Sequence, residues 1–256
     1  MNPALRAIDT GEKSARWNIA MTAALAELHH KGKIGDTLRL HRYARSVLIG
    51  RNQILAEAAD LAQCEACNVE VARRVTGGGA VYMAPGALAW DLVMARKDFQ
   101  SDLARASEMV GAGIVAGLMR LGLPARYRAQ NEVEIGGRKI CGLSGYFDGG
   151  TLICQGTILV DAKFDDMARF LRLQLPQTQR NLHDYLTTVT EHLGRAPAHR
   201  EIERALATGF SEMLGRALSW QEPGGDELRL ADEWHRSEFG RDDFVDGESR
   251  QKAQAS

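Results

Sequence analysis

No charge sign dominates this chain: 32 Lys and Arg stand against 33 Asp and Glu, for a net charge of -1. That balance excludes the broad basic field of a nucleic-acid binder or of a protein that lies on an anionic membrane, so any anion site must be local. No uncharged apolar run reaches spanning length. Arg6, Asp9, Glu12 and Lys13 stand where a signal peptide would need its apolar segment. Four cysteines are too few for a disulfide framework in 256 residues. These absences together predict a cytoplasmic protein with neither nucleic acid nor membrane as a partner. There is also no internal repeat and no low-complexity linker, and 45% hydrophobic composition suffices for one large domain.

Several catalytic signatures are missing as well. No Ser lies in a G-x-S-x-G elbow, and no His pair has the helical spacing of a zinc protease. His29 and His30 are adjacent and so point to different faces of a helix. A phosphate-binding P-loop would end its glycines in Lys followed by Ser or Thr, whereas here Gly77-Gly78-Gly79 leads into Ala80-Val81-Tyr82. Cys64-x-x-Cys67 has no second pair for a zinc site and reads either as a redox motif or as two small residues on a helix.

The pattern that is present alternates strands with helices. Apolar residues at helical spacing (Trp17, Ala20, Met21, Ala24, Leu25, Leu28) predict an amphipathic helix over 16–30. Strands are expected at 38–41, 46–50, 69–74 and 80–82, and at 88–94, where Leu88, Trp90, Leu92 and Met94 alternate. A helix is expected over 57–67, and another over 101–121 with Ser101 as N-cap and Gly122 and Pro124 as stop signals. Gly111, Gly113 and Gly117 lie inside that second helix, where close helix packing explains them better than a dinucleotide fingerprint. Gly136-Gly137 suits a tight hairpin turn, which pairs Ile135 with Arg138, Glu134 with Lys139, Val133 with Ile140 and Glu132 with Cys141. Asp148-Gly149-Gly150 turns a second hairpin into a strand over 151–160. Helices are expected at 165–173, 181–189, 198–214 and 226–239, ahead of a polar tail at 247–256.

One stretch, Arg73-Arg74-Val75-Thr76-Gly77-Gly78-Gly79-Ala80-Val81-Tyr82, is a poor way to fill a core. Consecutive glycines bring backbone amides close to a ligand, and arginines supply fixed positive charge, so the stretch reads as a loop that binds a small anion. The alternative is a bulge or tight turn between two strands. Lys139 by itself reads as a surface cross-strand ion-pair partner of Glu134.

The stretch from Arg73 to Tyr82 closely resembles the R-R-x-S/T-G-G-G-A-V-F/Y signature of lipoate-protein ligases, within the biotin/lipoate protein ligase superfamily. Further segments follow in the family's order. Asn131-Glu132 resembles its N-D/E pair, and Lys139-Ile140-Cys141-Gly142 its K-I/V-x-G segment with the essential lysine. Gln155-Gly156-Thr157 resembles its H-G-T strand, Gln179-Arg180-Asn181-Leu182 its R-N-L helix start, and Trp17-Asn18-Ile19-Ala20 its W-N-L/I-A helix. The resemblance covers roughly residues 5–215. It implies an α+β fold of the biotin/lipoate ligase type, which is class II synthetase-like: a mixed β-sheet flanked by helices. It implies one catalytic domain over 1–246, helical from about 165, without the small accessory C-terminal domain of larger ligases.

The activity so implied is ATP-dependent formation of lipoyl- or octanoyl-adenylate, followed by acyl transfer to a lysine of a lipoyl-domain or carrier protein. Lys139 would be the catalytic residue. Arg74, Gly79, Ala80, Val81, Tyr82 and Asn131 would bind ATP and the adenylate, and Arg74, Gly77, Gly78, Lys139 and Gly156 the lipoate. Asn131 and Glu132 would meet Mg²⁺. Leu48, Gly50, Val75, Leu88 and Gly156 are candidate walls for the acyl tail. A separate accessory protein is a further expected partner. Two departures bear on the substrate: Met83-Ala84 replaces the family's His-Asp after the loop, and Gln155 replaces the His of H-G-T. An acyltransferase with a cysteine nucleophile, for which Cys141 and Cys154 are at hand, and a lipoate binder without catalysis are the competing readings.

Overall fold

Apolar residues at nearly every position of 87–95 suit a strand buried on both faces, and that strand becomes the middle of a mixed sheet. The computed structural model describes residues 3–129, 131–172 and 181–247. Its strands are β1 (Leu5–Lys13), β2 (Thr37–Tyr43), β3 (Ser46–Ile49), β4 (Glu70–Arg73), β5 (Val81–Met83), β6 (Ala87–Ala95), β7 (Arg126–Arg128), β8 (Glu132–Ile135), β9 (Arg138–Asp148), β10 (Thr151–Leu159) and β11 (Leu218–Trp220). The large sheet runs β11-β1-β2-β6-β10-β9-β8-β7, and a small one runs β4-β3-β5. β1 is parallel to β2 and β11; the other neighbours in the large sheet are antiparallel.

The two faces of the large sheet have different tasks. Leu40, Trp90, Cys154 and Cys141 point into the main core, which the helices Leu103–Arg120 and His199–Leu214 close. Those helices touch through glycines: a Cβ at Gly117 would lie 2.8 Å from the Leu206 Cα, and one at Gly209 would lie 2.3 Å from the Gly117 amide nitrogen. Close packing is therefore the reason for glycine in that helix. The opposite face, with Arg39, His41, Ala89 and Asp91, meets the helix Ala15–His30 and the small sheet, and there the site lies.

Several expectations need correction. Asp102, rather than Ser101, caps the helix Leu103–Arg120, accepting from the Ala104 and Arg105 amides, while Ser101 takes a left-handed φ of 58°. The stretch expected as one helix at 57–67 is two short ones, Leu55–Ala58 and Leu61–Ala66, because Ala59 leaves the helix to bridge Leu171. The helix expected at 181–189 is likewise split, since Leu186 bridges Lys139 before Val189–Leu193 begins. The hairpin keeps Ile135–Arg138 and Glu134–Lys139, but a bulge then shifts the register, so Val133 faces Cys141 and Glu132 faces Gly142. β1, β7 and β11 carry no strong alternation and were not anticipated. The segment Gln179-Arg180 and most of the polar tail lie outside the described residues, as do 173–178.

Candidate active site

The glycine loop joins β4 to β5 and lies against the end of β3. Gly50 makes that seat: a Cβ there would fall 1.9 Å from the Gly78 carbonyl oxygen. It is thus the support of the loop and not a wall for an acyl tail. Arg73 turns away from the cavity, donating to the carbonyls of Gln53 at 2.8 Å and Val245 at 2.9 Å. Arg74 turns the other way. Its guanidinium donates to the carbonyls of Leu48 at 2.9 Å, Gly77 at 3.0 Å and Gly79 at 2.8 Å, which fixes the shape of the loop.

Arg74 is 6% exposed, and burial pulls its pKa down to about 10. Among the described residues no carboxylate pairs with it, so a buried positive charge lines the cavity uncompensated. The loop adds to that field. Gly78 and Gly79 are exposed, Gly78 has a φ of +92°, and among the described residues the amides of Gly78, Gly79 and Ala80 have no protein acceptor. Free amides and a buried guanidinium on one lining are what the reading of this stretch as an anion loop calls for.

Beside the loop opens a cavity of about 470 Å³. It is lined by Arg74, Gly78, Gly79, Ala80, Val81, Tyr82, Asn131, Lys139 and Gly156 of the expected site, and by Leu48 of the expected walls. Gly77 is behind the lining, its carbonyl accepting from Arg74 and from the Ser144 hydroxyl at 3.3 Å. Val75 and Leu88 are not on the lining either; Leu88 belongs to the main core. Gly156 contributes backbone only, because the space for its Cβ lies 2.5 Å from Trp90 Cζ2, on the far side of the sheet.

Lys139 stands at the mouth of the β8–β9 hairpin. Its ammonium donates to Glu132 Oε1 at 3.0 Å and lies 5.7 Å from the centre of the Tyr185 ring. The Lys139 carbonyl accepts from the Thr187 amide at 2.9 Å, which ties the strand to the helical cover. The ion-pair partner of Lys139 is therefore Glu132, whereas Glu134, opposite it in register, pairs with Arg126 and Arg128. Glu132 also accepts from Tyr185 Oη at 2.5 Å and from Arg128. Burial opposes its charge, but Tyr185, Lys139 and Arg128 outweigh it and hold the carboxyl below its usual range. With its oxygens so occupied, Glu132 anchors the lysine. Asn131 does line the cavity; it takes a left-handed φ of 60°, and its side-chain oxygen accepts from Tyr127 at 3.3 Å.

Neither cysteine proposed as a nucleophile faces this space. Cys141 and Cys154 are buried on the opposite face of the sheet, in the main core. Burial pushes the Cys141 thiol up to about 12 and raises the Cys154 thiol further. Cys64 and Cys67 belong to a third region, at the packed end of a short helix, and among the described residues no cluster of His, Cys, Asp or Glu could hold a metal.

Residues 14–211 match the model of the family described as Lipoyl protein ligase A/B catalytic domain. The chain belongs to this family. Its relatives include a probable lipoate-protein ligase A of Mycoplasma pneumoniae, 27% identical over 61% of this chain and 46% of that protein. An octanoyltransferase LipM of Symbiobacterium thermophilum is 26% identical over 84% of this chain and 88% of its own length. Lipoate-protein ligase A subunit 1 of Thermoplasma acidophilum is 29% identical over 77% and 80%. Among solved structures, a lipoate-protein ligase A bound with ATP shares 25% identity at a TM-score of 0.83, covering 96% of this chain and 99% of that one. A bi-partite lipoate protein ligase from Thermoplasma acidophilum, studied with its E2 lipoyl domain, gives 26% and 0.83 over 96% and 97%. The fold expected from the motifs, a mixed sheet with flanking helices, is the fold of these ligases. No helix among the described residues is long and apolar enough to cross a membrane.

Sequence reasoning missed His41, Asp91 and Tyr185. His41 and Asp91 sit on strands that read as plain core, and only the register of β2, β6 and β10 shows that they share the cavity face with Gln155.

Proposed function

We propose that this chain is an ATP-dependent ligase that activates lipoate, or octanoate, and transfers the acyl group to a lysine of a lipoyl domain or carrier protein. The observation that carries this reading is the composition of the cavity: two cationic side chains and a ring of free loop amides, with no cysteine on its lining. A carboxylate and a triphosphate repel each other, and fixed positive charge at Arg74 and Lys139 offsets that repulsion before any bond forms. A carboxylate oxygen then attacks the α-phosphorus, and pyrophosphate leaves. Next the acceptor lysine's amine attacks the acyl carbonyl, AMP leaves, and the amine's proton passes to solvent. Lys139 bridges the acyl oxygen and the α-phosphate in both steps, released from or shared with Glu132. The loop amides of Gly79, Ala80, Val81 and Tyr82 and the side chain of Asn131 receive the nucleotide.

The donor set does not suit a protein-held Mg²⁺, since Glu132 is occupied and Asp91 is paired with Arg39 at 2.9 Å. No step is assigned to that ion. The matched octanoyltransferases favour a second reading, acyl transfer without ATP, but it needs a cysteine nucleophile that this cavity does not offer. The bi-partite ligase among the structural relatives supports a separate accessory subunit as a partner. Mass spectrometry of a lipoyl domain incubated with this protein, ATP, Mg²⁺ and lipoate, with and without an accessory subunit, tests the proposal. Acylation that requires ATP supports it, and acylation from an octanoyl-carrier protein without ATP overturns it.

A further inference from the structure

The strand registers place two rows of side chains on the cavity face. Gly142, Thr157, Ala89 and His41 form one row across β9, β10, β6 and β2, and Ser144, Gln155, Asp91 and Arg39 form the next. The first row is a trough. Its floor is small from Gly142 to Ala89, it begins under the Lys139 ammonium, and it ends at the His41 ring. Three strand spacings separate those ends, about 14 Å, which is the reach of a carboxylic acid of about eight carbons plus a hydrogen bond at each end.

The far end of the trough is polar and unsatisfied. His41, which ends the trough, is 1% exposed and neither ring nitrogen has a hydrogen-bond partner, the Asp91 carboxylate standing 4.0 Å from Nδ1; Gln155, on β10 in the next row, also carries a buried Oε1 without one. Burial, with Arg39 and Arg42 near, holds the imidazole neutral, so it offers one donor and one acceptor. Asp91 Oδ2 is taken by Arg39 and by Thr22 Oγ1 at 2.9 Å each. An alkyl tail arriving here would leave these atoms unsatisfied. A tail ending in a hydroxyl or thiol can meet part of this need, accepting from the His41 N–H or donating its one proton to an acceptor such as Gln155 Oε1.

We propose that the acid taken by this site carries a hydroxyl or thiol at its distal end, received by His41 and Gln155. The inference rests on the reading of the cavity as an acyl site. It is tested by calorimetric binding, without ATP, of octanoate, its terminally hydroxylated analogue, lipoate and dihydrolipoate. The expected result is that the hydroxylated acid and dihydrolipoate bind about tenfold or more tighter than octanoate, the scale of leaving buried polar groups unpaired. His41→Leu and Gln155→Leu should each shrink that preference and tighten octanoate, with a melting temperature equal to or above that of the parent. Equal affinities in the parent protein, or a preference that survives both substitutions, would overturn this inference alone. Failure of all four acids to bind would overturn it together with the proposed function.

Discussion

Gly142→Ala should separate catalysis from folding. A Cβ at this position would lie 2.9 Å from both Cε and Nζ of Lys139, so the ammonium must retreat by about 0.5–1 Å to regain ordinary contact. The obstacle is the far end of a flexible side chain, and the backbone at 142 has no positive φ, so the fold can accommodate the methyl. Alanine lowers the entropy of the unfolded chain, worth about 0.4–1 kcal/mol, which offsets a weakened Lys139–Glu132 pair of similar size. Stability should therefore change little. A displacement of about 1 Å at a reacting group costs up to about 100-fold, or about 2.7 kcal/mol at 1.36 kcal/mol per decade. Gly156→Ala is the control, because its Cβ would meet the Gly142 carbonyl oxygen at 2.4 Å and the buried Trp90 ring at 2.5 Å, neither free to move. That variant should lose about 1–3 kcal/mol of stability. Chemical denaturation and steady-state acylation rates, measured on both variants, check the argument. Wild-type turnover in Gly142→Ala, or a stability loss equal to that of Gly156→Ala, would refute the placement of Lys139 over that glycine.

Two further expectations concern the groups around the site. Cys141→Ala with Cys154→Ala should leave ligation within about threefold of the parent per folded molecule, since both thiols are buried behind the sheet, and any loss should track the melting temperature. Glu132→Gln should weaken the hold on Lys139 and reduce the acid sensitivity of folding. The folded-state pKa of Glu132 is depressed, so its contribution is present above the ordinary carboxylate pKa of about 4.3 and is lost as pH falls through the lower folded value. Stability of the parent should therefore fall more steeply than that of Glu132→Gln below about pH 5, as read by denaturant titration at successive pH values.

The parts legible in the sequence were those whose chemistry is local. Consecutive glycines between two strands, arginines before them and a Gly-Gly hairpin beside a lysine can each be read from a few neighbours, and Arg74, Lys139 and Asn131 do meet at one cavity. The motif order then fixed the family and, through it, the fold. What failed to show depended on distant partners. The bulge that moves Val133 from Ile140 to Cys141 is set by the packing of the hairpin, and no turn rule contains it. Cys141 and Cys154 looked available because sequence does not say which sheet face is the core. Gly50 looked like a pocket wall because a glycine reads the same whether a ligand or a carbonyl takes the space of its Cβ. His41 was invisible for a similar reason, since only the register of three strands puts it on the cavity face with Gln155.

The most direct test of the central claim follows AMP and the acceptor lysine together. Purified protein, with its accessory subunit if one is needed, is given ATP, Mg²⁺, acid and lipoyl domain, and AMP and acylated domain are quantified in the same sample. One AMP is expected for each acylated lysine, and neither product with Lys139→Ala. Acylated domain without AMP, or undiminished acylation by Lys139→Ala, would contradict it.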